Sequence, residues 1–600
     1  MNLIVQKYGG TSIGSVKRVQ TVAQRIHEIA QNGNQVVVVV SAMGKTTDIL
    51  VKLASEITPA PCRREMDMLL STGEQVSIAL MSMALQQLGQ SAISLTGAQV
   101  GIITEAEYSR ARILSIKPHR IQRHLDRGEV VVVAGFQGIS NGTDLEITTL
   151  GRGGSDTSAV AIAASLKASC CEIYTDVPGI LTTDPRLVSD AQLMNEINCD
   201  EMLELASLGA KVLHPRAVEI ARNYGIPLVV RSSWSAAPGT RVISPIPKPR
   251  SINGLELTKA VDGIEFDPDQ AKIALLRVPD CPGVAARLFG EIAKQRVDVD
   301  LIIQSIHEGN SNDIAFTVVK KVLNKAEAVA EAIAPSLRNS PTNSDEAEVL
   351  IEKETAKIAI VGAGMIGRPG IAAKMFKTLA DAQVNIEMIA TSEVKVSCVI
   401  TSNNGDRAID ALCKAFDVKL SKIPVGPKTV KVSPPVRGVA LDTKQVQIAL
   451  LHVQDRPGMA GKIFGALADK NISVDTIIQS QRCRIVNGMP TRDIAFTVAQ
   501  EDLQVAQTSL EILSDSFTEM IIDTDIAKVS VVGAGMVGQP GIAAKCFEAL
   551  AKQKINIKMI ATSEIKISCV VARAEGIQAL KAVHRAFGLA GQEILEVSVE

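Results

Sequence analysis

Lys7 stands just before Gly9 and Gly10 in the run KYGGTS (7–12), between an apolar stretch and an amphipathic one. Two glycines let a backbone approach an anion closely. A helix start adds unpaired N–H groups and the positive end of a dipole, and the lysine adds a mobile charge, so the run suits a phosphate. It is not a Walker A turn, in which the lysine follows the glycines. Taken alone it reads equally well as a strand-turn-helix with an incidental lysine. Further polar, Gly-rich turns shift that balance. TTLGRGGSDTSA (148–159) presents Arg152, Ser155 and Asp156 where a turn feeds a helix, and YTDVPGILTTDPR (174–186) puts Thr175 and Asp176 at a strand end with Asp184 and Arg186 in the loop beyond. GAKVLHP (209–215) supplies Lys211, SAMGKTTD (41–48) supplies Ser41 and Thr47, and STGEQVS (71–77) opens a helix with Glu74. Each could be a helix cap or a solvated turn. Gathered at the strand ends of one sheet, where α/β folds hold ligands, they describe a phosphate-handling site.

Elements that could gather them are legible in the first 243 residues. Strands are expected at 2–6, 36–40, 91–95, 129–134, 171–175 and 227–231, and helices at 16–30, 74–88, 155–166 and 216–223. The run 36–40 is all valine, as in a strand buried on both faces. Strands alternating with helices imply a sheet between two helix layers, a three-layer αβα domain over 1–243. The segment 244–260 opens with SPIPKPRS and reads as a linker.

The second half is duplicated. The stretch from Lys357, KIAIVGAGMIGRPGIAAKMF, recurs without gaps from Lys528 as KVSVVGAGMVGQPGIAAKCF, and that from Lys272, KIALLRVPDCPGVAARLFGEI, recurs from Gln447 as QIALLHVQDRPGMAGKIFGAL. The order is A-B-A′-B′, and each unit reads as a βαββαβ ferredoxin-like module. The expected division is 261–345, 346–423, a Pro-rich linker at 424–436, then 437–522 and 523–600. GAGMIG (362–367) and GAGMVG (533–538) match the dinucleotide fingerprint GxGxxG. Only Thr391, Ser392 and Glu393 separate the next two strands. Three residues close an antiparallel hairpin and cannot make the parallel crossover that a dinucleotide fold requires, so no such cofactor is expected.

With a net charge of −1 and 3% aromatic residues, the chain has neither a global basic field nor stacking platforms for nucleic acid. Neither nucleic acid nor membrane is expected as a partner. The ten cysteines show no paired zinc-type spacing, so no metal site is expected. The first residues have no signal-peptide pattern, the apolar runs are of strand length, and a cytoplasmic protein is expected.

Together, KYGGTS, SAMGKTTD, STGEQVS, TTLGRGGSDT, TDVPGI, TDPR and GAKVLHP resemble, in order, the motifs of the aspartate kinase branch of the amino acid kinase family. The four modules resemble ACT domains, which bind amino-acid effectors and dimerise. The resemblance implies ATP with Mg2+ and L-aspartate as substrates. It places the phosphates at Lys7, Gly9, Gly10, Thr11 and Lys211, with Thr175, Asp176, Asp184 and Arg186 lining the rest of the nucleotide site. Ser41, Thr47, Glu74, Arg152, Ser155 and Asp156 fall around aspartate, and Lys7, Asp156 and Lys211 take the catalytic positions. Members often carry Tyr in the position of Leu181, and most carry two ACT modules where this chain has four. The modules imply a homodimer and feedback by lysine or threonine. In the A modules, Asp280, Gly283, Val284 and Ala285, with Asp455, Gly458, Met459 and Ala460, form loops whose N–H groups suit an effector carboxylate. Asp300, Gln304 and Ser305, with Asp475, Gln479 and Ser480, suit its ammonium, as do Asn385 and Asn556 in the B modules. Two rivals remain at this stage: a kinase of the same fold with another substrate, and an amino-acid sensor with an inactive kinase domain.

Overall fold

The computed structural model describes residues 2–209, 212–246, 252–256, 259–305, 311–337, 347–365, 368–420, 434–486 and 488–591. The N-terminal half holds an eight-stranded sheet. Its order is Glu196–Asn198, Thr240–Ile243, Leu228–Ser232, Cys170–Thr175, Leu3–Tyr8, Gln35–Val40, Val130–Ala134, Ala92–Leu95. Every neighbouring pair is parallel except Leu228–Ser232 with Thr240–Ile243. The valine strand is buried on both faces, as its composition requires. Val36, Val38 and Val40 face the helices Val16–Gln31 and Thr72–Gln87, while Val37 and Val39 face Gly154–Leu166. The two-residue period of the strand thus divides its side chains between two helix layers.

The expected strands and helices are all present, with ends shifted by one or two residues. The helices Thr46–Ile57, Arg63–Leu70 and Cys199–Ser207 and a small four-stranded sheet come in addition. By length and composition the stretch Arg63–Gln87 could cross a membrane, against the expectation that no segment could. It is two helices meeting at Ser71, and it carries Asp67 and Glu74 inside the domain. Asp67 accepts hydrogen bonds from the Ser109 and Thr149 amides at 2.9 and 2.8 Å, which makes the stretch a core element of this fold. The linker segment is more than a spacer. Its Glu256 is buried, held by the Arg216 guanidinium at 2.7 and 2.9 Å and by the Ile113 amide at 2.6 Å.

The modules nest. Residues 270–275 of the strand Gly263–Pro279 pair with Ser311–Val319 inside module A, while residues 263–267 pair with 357–361 of module B. The second repeat copies this, with Gly438–Asp442 paired to Ile526–Val532 of B′. Residues 263–267 and 438–442, which the sequence division assigns to A and A′, therefore hydrogen-bond into B and B′. Periodicity marks strands but does not name their partners. Modules also pair across the repeats. Ile302–Ser305 of A lies antiparallel to Met559–Ser563 of B′, fusing both into a ten-stranded sheet, with Phe289 and Phe547 5.4 Å apart between their helices. B meets A′ likewise, with Phe376 and Phe464 5.6 Å apart and the Thr391 hydroxyl donating to the Asp475 carbonyl at 2.6 Å.

The GxGxxG glycines have a packing cause. A Cβ on Gly362 would lie 2.4 Å from the Ala260 carbonyl oxygen, and one on Gly533 2.2 Å from that of Pro435. Each glycine lets the incoming segment cross its module. Met388–Thr391 and Lys395–Thr401 form the antiparallel hairpin read from the sequence.

Candidate active site

The turns named in the sequence meet at the C-terminal edge of the parallel sheet. Lys7 is the next-to-last residue of Leu3–Tyr8, and its Nζ lies 2.7 Å from Asp156 Oδ1, with the two side chains only 13% and 10% exposed. Asp156 sits in the first turn of Gly154–Leu166, an almost wholly buried helix that cannot shift without disturbing the core. A Cβ on Gly9 would stand 3.4 Å from Lys7 Nζ, and one on Gly10 2.7 Å from the Ala42 carbonyl oxygen. The Gly44 amide donates to the Gly10 carbonyl at 3.0 Å, so the first two turns interlock. Ser41 Oγ donates to Ser155 Oγ at 3.0 Å. Glu74 Oε1 accepts from the Ala42 amide at 3.0 Å, and Glu74 Oε2 is buried with no hydrogen-bond partner among the described residues. Burial pushes the Glu74 carboxyl up to about 7. Thr47, half-buried, starts the helix that leaves the same loop.

Arg152 is exposed on a turn between Gly151 and Gly153, at φ 80° and 71°. A Cβ at Gly153 would fall 2.3 Å from His214 Cδ2, so this turn lies directly on the imidazole. Burial holds His214 below its usual range, and Arg216 adds to the effect. His214 is the N-cap of Pro215–Tyr224 in the motif from which the sequence singled out Lys211. Lys211 lies outside the described residues. His214 was missed, although a histidine before a helix-starting proline is a usable signal.

The KYGGTS turn also touches the neighbouring strand end. The Gly9 amide donates to the Tyr174 carbonyl at 3.4 Å, and Ser12 Oγ lies 2.6 Å from Ser233 Oγ. The Ser233 amide donates to the Thr175 carbonyl at 2.8 Å. Ser233, another residue missed in the sequence, thus ties Thr175 and the exposed Asp176 to the glycine turn, with Thr175 Oγ1 donating to Asp176 Oδ1 at 3.0 Å. Thr11 starts a short 3-10 turn there, and its carbonyl accepts from Arg18 at 3.0 Å. Asp184 and Arg186 pair with each other at 2.6 and 2.9 Å in a loop fastened to module B′. There Thr182 Oγ1 lies 2.9 Å from His584 Nε2, and the Val439 amide donates to the Thr182 carbonyl at 2.8 Å. Leu181 is buried and bridges to Leu193. Among the described residues no group of three or more His, Cys, Asp or Glu side chains could hold a metal ion.

Among the described residues of the second half, pockets open at both cross-repeat pairs, two at each. One lies between the Asp280–Ala285 loop and B′, with Gln304, Asn312 and Asn556 in its lining. There Asp280 Oδ1 accepts from Asn312 at 2.9 Å and from Asn556 at 2.8 Å. Its counterpart holds Asp455, Gly458, Met459 and Ala460 with Asn385 and Gln479, and Arg492 reaches Asp455 at 2.7 Å. Gly283 and Gly458 cap their helices at φ 99° and 101°, conformations that glycine adopts at little cost. Asp300 and Asp475 line the other two pockets, beside Lys357 and Glu564 in one and Arg368 and Glu393 in the other. They therefore do not share a cavity with the loops to which the sequence reading joined them. Ser480 is buried and accepts from the Asp493 amide at 3.0 Å, away from that lining. Ser305 ends the strand Ile302–Ser305.

A sheet edge that interlocks a glycine turn, a buried lysine–aspartate pair and a second Gly-rich helix start, followed by paired βαββαβ modules, defines an amino acid kinase domain with ACT modules. The Amino acid kinase family matches residues 2–232, and ACT domains match 358–416, 448–515 and 529–587. An aspartokinase of Bacillus sp. (strain MGA3) is 48% identical over 423 residues, 70% of this chain and 99% of that protein. Aspartokinase 2 of Bacillus subtilis (strain 168) is 47% identical over 424 residues, 71% of this chain and 99% of its own. The crystal structure of aspartate kinase from Synechocystis superposes with a TM-score of 0.86 at 67% identity, covering 100% of both chains. The chain belongs to the aspartate kinase family.

Proposed function

We propose that this protein transfers the γ-phosphate of ATP to the β-carboxylate of L-aspartate, giving 4-phospho-L-aspartate at the head of the lysine, threonine and methionine branch, under feedback by lysine and threonine. The observation that carries the reading is the buried Lys7–Asp156 pair, whose helix start is tied through Ser155 and Ser41 to the turn that holds the Glu74 carboxylate. The acceptor has a reference pKa of about 3.9, so it attacks as an anion without a general base. The barrier lies in bringing that anion to a polyanionic phosphate, and positioning with charge neutralisation lowers it. Lys7 and the Gly10 N–H of the glycine turn hold phosphate oxygens, with Lys211 as a further cation. Mg2+ enters with the nucleotide. Glu74 and Asp156 take the ammonium of aspartate, and Arg152 takes its α-carboxylate as a two-pronged donor. An ADP-release assay with aspartate, glutamate and acetylglutamate tests the substrate. Turnover of glutamate in preference to aspartate would overturn it, and release with none of them would favour the inactive-kinase sensor.

Arg152→Lys replaces a fork by a point charge. The aspartate KM is expected to rise about tenfold with the ATP KM unchanged, and equal aspartate KM values would remove Arg152 from the site.

Regulation is supported by the two loop pockets, where left-handed glycines leave helix N–H groups open to a carboxylate and asparagines and Asp280 or Asp455 stand opposite. Gly283→Asp strains a backbone at φ 99° and places a carboxylate where the effector's own would sit. The expected result is at least a tenfold rise in the half-inhibitory concentration of lysine or threonine with the basal rate retained. Unchanged inhibition would remove this loop from the effector site. The reading includes a cytoplasmic homodimer, whose mass sedimentation velocity checks.

A further inference from the structure

The two repeats differ at one buried ion pair. In the first, Lys395 of B reaches Glu265 at 2.6 Å, an acid on the strand completing its own module, and it also pairs with Glu564 of B′. Lys357 pairs with Asp300 and lies 3.5 Å from Glu564. The second repeat copies both lysines as Lys528 and Lys566, and copies Asp300 as Asp475 and Glu564 as Glu393. The position of Glu265, however, is Ala440. The kinase domain supplies the missing acid. Glu204, from the helix Cys199–Ser207, lies 2.9 Å from Lys566 Nζ, with side chains 0% and 4% exposed. Its other oxygen accepts from the Glu393 amide at 2.9 Å. One kinase carboxylate thus fastens a strand of B′ and a turn of B together.

The pocket between B and A′ is lined by Glu393 and Asp475. Asp475 pairs with Lys528 and stands 4.0 Å from Lys566. Glu204 is therefore bonded to one residue of the pocket wall and shares Lys566 with another. A second buried acid ties the same helix to B′, since Glu201 accepts from the Ala534 amide at 2.7 Å, and it also closes a capping box with Asn198 at the helix start. The helix packs on Pro215–Tyr224, which starts at His214 against the turn carrying Arg152.

We propose that Glu204 is the positioning residue through which an amino-acid ligand in the Glu393–Asp475 pocket acts on the kinase domain. The inference rests on the regulatory reading above. An ammonium group entering the pocket takes up the charge of Asp475 and Glu393, leaving Lys528 and Lys566 to draw harder on Glu204. Burial, with the neighbouring Lys566 adding to it, lowers Lys528 to about 8, while Glu204 and Glu393 hold Lys566 above its usual range. Among the described residues, Lys395 of the first repeat meets Glu265 of its own half where Lys566 meets the kinase acid Glu204.

Glu204→Gln keeps the shape and the acceptor for the Glu393 amide while removing the charge. The expected result is at least a tenfold rise in the half-inhibitory concentration of lysine or threonine, with uninhibited kcat and both KM values within twofold of wild type. Calorimetry on the full-length variant should still register binding of the same amino acids. Glu265→Gln, at the equivalent place in the first repeat, should leave inhibition within twofold of wild type. Should E204Q fold poorly, E204Q/K566M removes both charges together, so that no lysine is left facing a neutral partner, and the same loss of inhibition is expected. Wild-type inhibition of a folded E204Q or E204Q/K566M enzyme overturns the proposal, as does an equal loss in E265Q. Failure of the wild-type protein to bind lysine or threonine in calorimetry overturns the regulatory reading itself and this inference with it.

Discussion

Lys7→Ala is expected to lower kcat about a thousandfold, about 4 kcal/mol of transition-state stabilisation, in a protein that keeps its fold. In the described structure Lys7 is held by Asp156 at 2.7 Å with its Nζ over Gly9, so the charge is placed before any nucleotide arrives. A preplaced charge needs no reorganisation as the phosphoryl group moves, which is where an electrostatic catalyst gains most. Truncation also leaves Asp156 without its partner in a site only 7% exposed, and a buried unpaired carboxylate costs stability. Two companion variants separate the effects. Lys7→Met keeps the apolar stem and should lose as much kcat as Lys7→Ala. Lys7→Ala/Asp156→Asn removes both charges, and it should recover thermal stability without recovering turnover. Near-wild-type kcat in a folded Lys7→Met enzyme would exclude the lysine from the reaction.

What was legible in the sequence follows from how local its causes are. Lys7, Gly9 and Gly10 lie within one turn, and Val36–Val40 declares its two-sided burial by composition, so the site edge and the sheet could both be read from short windows. The ionic ties could not. Glu204 and Lys566 are far apart in the chain, and each alone reads as a solvated charge on a helix or strand. The nested strands are hidden for the same reason, since residues 263–267 alternate as well for one module as for the next. The helix carrying Glu204 did leave a signal, the Asn198–Glu201 capping box, which marks a helix start in any sequence. The separation of Asp300 and Asp475 from the glycine loops has a long-range cause. Both follow those loops at similar spacing, and only the pairing of A with B′ and B with A′ assigns them to other pockets.

Glu74 makes the site pH-dependent in a direction that can be stated in advance. Burial pushes its carboxyl up to about 7, with one oxygen on the Ala42 amide and the other unpartnered among the described residues. An ionised carboxylate binds an ammonium well and a protonated one binds it poorly, so aspartate should bind mainly to the enzyme with Glu74 charged. For a group titrating near 7, the ionised fraction falls about tenfold between pH 8 and pH 6, and the aspartate KM should rise about tenfold over the same interval. The ATP KM has no such contact and should stay flat. Because the folded carboxyl titrates above its ordinary value, the ligand-free protein should also lose stability as pH rises from 4.5 toward 7, and saturating aspartate should restore it. Glu74→Gln removes the titration. Its aspartate KM is expected to be high and nearly constant from pH 6 to 8, roughly tenfold or more above wild type at pH 8, the cost of one charge-assisted hydrogen bond. Its ligand-free stability should decline less than that of the wild type across pH 4.5 to 7, the remaining slope coming from Glu219 and Glu387, which burial also pushes up to about 7. A wild-type aspartate KM that stays level through this range would show that Glu74 does not meet the substrate's ammonium, and would leave Asp156 as its counter-ion.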